Sequence, residues 1–185
     1  MKNKILFVAL TLIFISGCAA LQDRRIRLSY SSISSIQPKN NIIVKVNAFV
    51  DKRTISDSVG DANKRWIKVI PENSVTEWVT DALKAELVNL GYTISDQENI
   101  TNVIDGTVFD VFCDTYMSLT YNGRIGIKVI LKKNGIVALE RNYSVNKTCD
   151  MLWSITSAQL AKTLEMTLQE TLKQAVSDIN KELLK

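Results

Sequence analysis

The sequence predicts an α+β fold: a mostly antiparallel sheet, built on a β-hairpin meander and covered on one face by two helices. Three observations lead there. Residues 103–147 are β-rich and contain Asn122-Gly123 and Asn134-Gly135, both strong two-residue hairpin signals. Ser74-Val75-Thr76-Glu77 has the form of a capping box ahead of an apolar-periodic run. Thr156-Ser157-Ala158-Gln159 has the same form ahead of the C-terminal run.

The elements follow in order. "NIIVKVNAFVD" (41–51) alternates and is β-branched, so it reads as the first strand, with Ile43 or Val44 through Phe49 and Val50 in the core. The charged stretch 51–65 reads as a loop. "WIKVI" (66–70) is a short strand ended by Pro71. After the Ser74 cap, Val75, Trp78, Val79, Ala82, Leu83, Leu87 and Leu90 share one broad helical face, and Gly91 stops the helix. "YTIS" resumes as a strand. The two turn signals divide the meander into strands near 103–121, 124–133 and 136–147. In the middle one, Ile125, Ile127, Val129 and Leu131 point one way, and Arg124, Lys128 and Lys132 the other, so one face is buried and one wet. Ala161, Leu164, Leu168, Leu172, Ala175, Ile179 and Leu183 then line a long final helix. That stripe packs on the sheet or, alternatively, forms a coiled-coil seam.

The N-terminus is of a different character. Met1 to Lys4 is basic, and Ile5 to Ile15 is an apolar run of eleven residues. Eleven residues rise about 16 Å as a helix, roughly half of a bilayer core, so the run reads as a secretory leader and not as a permanent span. Ile15-Ser16-Gly17-Cys18 resembles a bacterial lipobox. The resemblance implies cleavage before Cys18 and acylation of that cysteine. Several acyl chains on one residue give stable membrane anchoring. Ala19 and Ala20 follow, without the Asp that resembles an inner-membrane retention signal, which favours the outer membrane facing the periplasm. Residues 19–40 are serine-rich, without a sustained period, and read as a flexible tether of 22 residues. Such a tether spans about 26 Å when relaxed and about 75 Å when pulled straight. Arg24, Arg25 and Arg27 either touch anionic headgroups or belong to that solvated tether. The expected organisation is a leader at 1–17, the lipidated Cys18 and tether at 18–40, and one periplasmic domain at 41–185.

Composition narrows the function. The chain has 23 basic and 19 acidic residues, a formal balance of +4; loss of Lys2 and Lys4 with the leader brings it to +2. That is no nucleic-acid footprint. With no histidine in the sequence, Ser-His-Asp and Cys-His machinery and His-ligated metal sites are excluded. Cys113 and Cys149 lack the spacing of a redox motif. An oxidising periplasm favours pairing them, whereas the turn at 122–123 places Cys113 opposite Lys132, far from Cys149. "DSVGD" (57–61) fails the calcium-loop pattern. Asp105, Asp110 and Asp114 share one strand and read as edge charges before they read as a catalytic pair. No catalytic residue, cofactor or metal is expected.

Two features point to partners. The 51–65 loop carries Arg53 and leads into Trp66, a combination suited to recognition or to a solvated loop over a core tryptophan. The nineteen-residue stretch 103–121 exceeds an ordinary strand. It either bulges within the domain or protrudes as a ribbon presenting Phe112, Tyr116 and Tyr121 for strand addition.

The lipobox, the strand ending in "VDKR", the helix ending in "ALKAELVNLGYTI", the meander and the final helix together resemble the YajG family of bacterial lipoproteins. The resemblance spans nearly the whole mature chain. It implies no established activity. The expected function is therefore a non-catalytic, structural or accessory role in a cell-envelope complex, anchored through acyl chains on Cys18. The alternative is a carrier of lipid or a small ligand, with a pocket between sheet and C-terminal helix.

Overall fold

The computed structural model describes residues 23–62, 67–115, 120–150 and 155–185. Cys18, Trp66 and Tyr116 lie outside them. Among the described residues, no helix is long and apolar enough to cross a membrane. The architecture is α+β, with a nine-stranded, mixed but mostly antiparallel sheet and two helices.

The long strands β7 (Asn102–Asp114), β8 (Thr120–Lys133) and β9 (Ile136–Asp150) form the antiparallel meander. Asn134-Gly135 makes the β8–β9 turn as predicted, with Asn134 at φ 53° and Gly135 at φ 79°, the positive values such a turn demands. Asn122-Gly123 does not turn. Both residues lie inside β8, where Gly123 pairs with Cys113 and Lys147. The reason is helix packing: a Cβ on Gly123 would sit 2.5 Å from Thr167 Oγ1 on the long C-terminal helix. The predicted strand 103–121 is therefore two elements. Its first part, β7, carries a bulge between Val108 and Asp110 that leaves Phe109 unpaired.

On its other edge β7 receives three short strands in succession, all parallel to it: β2 (Ile43–Val46), β3 (Val50–Asp51) and β4 (Gly60–Ala62). The first predicted strand is thus broken between Val46 and Val50, and Ile43 and Val50 are exposed, while Val44, Val46 and Phe49 are buried. Phe49 lies over Gly106, where an added Cβ would meet its ring at 2.1 Å. β5 (Ile67–Pro71) pairs antiparallel with β4, and β6 (Thr93–Ile94) pairs parallel with β2.

Both helices start at the predicted caps. Ser74 Oγ accepts from Glu77 N at 3.2 Å ahead of α1 (Val75–Asn89), and Thr156 Oγ1 accepts from Gln159 N at 3.2 Å ahead of α2 (Ser157–Leu183). Helix α1 ends in a Schellman motif, with Gly91 N bonded to Val88 O and Tyr92 N to Leu87 O. The α2 stripe packs on the sheet: Leu160, Leu164, Leu168, Leu172, Ala175 and Ile179 have no accessible area, nor do Ile125, Ile127, Val129 and Leu131 beneath them. The coiled-coil alternative therefore falls away.

The largest departure from expectation is the N-terminal segment. Residues 24–40 are not a free tether. Arg24–Ile26 form β1, parallel to β5, and Ile26 and Leu28 are buried. Leu28 N donates to Asn73 Oδ1 at 2.8 Å, and Asn73 Nδ2 donates back to Leu28 O at 3.1 Å. Beyond Leu28 the chain crosses both helices as a strap. It ends with Gln37 N bonded to Asn89 O and Asn40 N to Gly91 O.

Candidate functional site

The strap is held by two glutamates on the helices. Glu86 on α1 is 1 % exposed. It accepts from Tyr30 Oη at 2.5 Å, Ile33 N at 2.9 Å and Ser34 N at 3.1 Å, and from the Ser34 hydroxyl. Burial pushes its carboxyl up, but the bonds from Ser34, Tyr30, Ile33 and Ser32 together outweigh burial and hold it below the usual glutamate value. Glu165 on α2, also buried, accepts from Ser31 N at 2.9 Å and Lys162 Nζ at 2.8 Å. Its carboxyl is likewise held low by these bonds against the pull of burial. Neither residue was among the predicted sites. Helical spacing does carry a signal for Glu86, which stands seven residues after Val79 and four before Leu90, on the apolar face.

Of the predicted partner residues, the structure brings Arg53 and Phe112 to one cleft of about 350 Å³. Thr54, Ile55, Phe109, Asp110 and Arg124 also line it. Arg53 is not free to reach a partner. Its side chain is 5 % exposed. It donates from Nε and Nη2 to Asp51, from Nη1 to Ser58 O at 3.0 Å and from Nη2 to Ser56 O at 3.1 Å. These bonds fold the 51–58 loop back on itself, and the Arg53 side-chain bond draws the Asp51 carboxyl down. Phe112 does face outward, with the Arg124 guanidinium 5.3 Å from its ring centroid. Arg124 is also paired with Asp110. Tyr121 is no surface residue either: it is 1 % exposed, donates to Gln159 Oε1 at 2.6 Å and accepts from Thr156 N at 3.3 Å. It anchors the start of α2.

The carboxylates of β7 are spent on partners. Asp105 pairs with Lys132 and accepts from Asn47 Nδ2, while Asp114 accepts from Asn122 Nδ2. With Lys128–Glu140 they lace the open face of the meander. Among the described residues no cluster of three or more His, Cys, Asp or Glu is placed to hold a metal ion. Both remaining cysteines are free thiols. Cys113 faces Gly123 and Cys149 faces Tyr121, so β8 stands between them. Two strand spacings are about 9.5 Å, beyond the ~7 Å reach of a disulfide. The register that opposed Cys113 to Lys132 was wrong, because it rested on the Asn122-Gly123 turn.

The profile of a family described as "Uncharacterized lipoprotein" (Lipoprotein_16) matches residues 31–183. The chain belongs to this lipoprotein family. The match begins inside the strap and ends at the last residue of α2, so it spans both helices and the whole meander. None of the curated proteins matches this lipoprotein. Its fold is similar to that of XCC0632 from Xanthomonas campestris, of the family DUF330, with a TM-score of 0.63 at 12 % identity over 82 % of this chain and 91 % of that one. It is also similar to the hypothetical protein CT253 from Chlamydia trachomatis, with a TM-score of 0.50 at 6 % identity over 78 % of this chain and 98 % of that one. At such identities the likeness concerns the fold alone.

Proposed function

We propose that this protein is a YajG-like lipoprotein, held at the periplasmic face of the outer membrane by acyl chains on Cys18, and that it serves without catalysis as an accessory component of a cell-envelope complex. The observation that carries the reading is the docked N-terminus. β1 starts six residues after the lipobox cysteine, so only a short stretch of chain separates the sheet–helix body from the anchor. The absence of histidine and the pairing of Asp105, Asp110 and Asp114 support a non-catalytic role. The carrier alternative is weakened by the α2–sheet interface. Side chains with no area accessible to a water-sized probe leave no space for a ligand between them.

The test is affinity capture from crosslinked envelopes, with Cys18→Ser as control. The reading expects labelled fatty acid on the wild type only, and a defined set of envelope proteins recovered only with the acylated form. Normal processing of Cys18→Ser, or recovery of lipid alone, would overturn it.

A further inference from the structure

Of the six arginines among the described residues, three are ion-paired: Arg53 with Asp51, Arg124 with Asp110 and Arg141 with Asp178. The other three, Arg24, Arg25 and Arg27, have no carboxylate partner among the described residues. They are also the three nearest Cys18. They do not float on a tether. Arg24 and Arg25 lie in β1, in register with Val69 and Ile70, and Arg27 follows directly, between the buried Ile26 and Leu28. Alternation along this extended segment turns Ile26 and Leu28 inward and leaves Arg25 and Arg27 exposed on the outward side. Two residues of extended chain separate them by about 7 Å. Asp57 is paired with Lys68, and Asp23, which accepts from Lys68 N, and Glu72 carry the acidic charge nearby without an ion pair to Arg25 or Arg27 among the described residues. Glu72 is exposed, and its amide is bonded to Ile26 O.

Six peptide steps from Cys18 to Arg24 span at most about 20 Å, and a relaxed segment spans less. An arginine side chain adds several ångströms of its own. We propose that Arg25 and Arg27 are a second membrane contact that binds the phosphates of anionic lipid headgroups and fixes the orientation of the domain on the bilayer. Guanidinium suits this ligand because its planar fork matches phosphate oxygens. The acyl chains hold the protein at the surface, and the arginine pair selects which side of it faces the lipid. This inference rests on acylation of Cys18.

The test uses the mature lipidated protein in vesicles of phosphatidylcholine, alone or mixed with phosphatidylglycerol. A donor dye at Ile136→Cys, in a Cys149→Ser background, reports distance to acceptor-labelled headgroups from the far end of β8. Ile136 is 75 % exposed, and Cys113 is buried. With phosphatidylglycerol the distance distribution is expected to narrow to one height, and to broaden again at high salt. Arg25→Gln with Arg27→Gln should shift the ratio of docked to undocked orientations by roughly tenfold or more, at about 1 kcal/mol per arginine near an anionic surface. Both positions are exposed and without an ion pair among the described residues, so the thermal midpoint should not move. Distributions that ignore lipid composition, or respond equally in the double variant, would overturn the proposal while leaving the anchor intact. A protein that lacks acyl mass and fails to float with vesicles would overturn the anchor and this contact together.

Discussion

Tyr30 donates its hydroxyl hydrogen to Glu86 at 2.5 Å, and this bond joins two residues 56 positions apart. It marks the centre of a clamp in which a carboxylate with no cation in contact among the described residues is held by neutral donors. Replacing Glu86 by Ala strands the Tyr30 hydroxyl and two strap amides. Unmade buried hydrogen bonds cost about 1–3 kcal/mol each, partly recovered by water here. A loss of about 3 kcal/mol, or roughly 10 °C in Tm, is expected for a chain of this size. Amide exchange at Ile33 and Ser34 should rise far more than at Ile127. If the two sites change alike, the strap is not a separate unit.

The same carboxylate gives a pH dependence. Its pKa is depressed in the folded state, so its contribution is complete above the unfolded glutamate value near 4.3. The contribution is lost as pH falls through the lower native value. Wild-type urea midpoints should therefore decline below about pH 4.3, and Glu86→Gln should flatten part of that decline.

Arg53→Lys should loosen the 51–58 loop, because an ammonium cannot reproduce the two-pronged bond to Asp51 while also reaching Ser56 O and Ser58 O. A cost of about 1–3 kcal/mol is expected, with faster proteolysis between Lys52 and Asp57. Unchanged cleavage would show that the loop holds itself.

Gly106→Ala should destabilise by about 1–3 kcal/mol through overpacking against Phe49. Phe49→Leu should relieve part of that loss, so the double variant should be more stable than the sum of the singles predicts. Simple additivity would place the strain elsewhere.

Reduction should leave the folded state unaltered, since Cys113 and Cys149 are free thiols on either side of β8. Alkylation of the native protein should modify Cys149 alone. Cys113 is fully buried, and burial pushes its thiol far up, so it should react only after unfolding. Protection of both cysteines that is released by reductant would contradict the register.

The helices, their caps and the Asn134-Gly135 turn were legible because each depends on residues a few positions apart. The Asn122-Gly123 signal misled for a definable reason. That glycine serves the close approach of Thr163 and Thr167 on α2, a demand set by residues some forty positions away. The strap was illegible for the same kind of reason. A serine-rich run looks unstructured when its acceptors, Glu86 and Glu165, lie more than 50 and more than 130 residues downstream. Arg53 and Tyr121 were read as surface because charge and aromaticity suggest contact. Here they contact their own chain.

With Cys18 acylated, the docked strap also changes what kind of search the protein makes. A domain on a long leash explores a volume, and each encounter is diluted by that volume. A domain whose first strand begins six residues from its lipid moves instead within a thin layer, sliding sideways with the bilayer. The fourteen residues of β8, at about 3.4 Å per residue, make the domain's longest strands roughly 45 Å long, which gives the scale of that layer. Partners must enter that layer to be met. Inserting a Gly-Ser spacer between Cys18 and β1 would raise the ceiling, and so turn reach into an adjustable property.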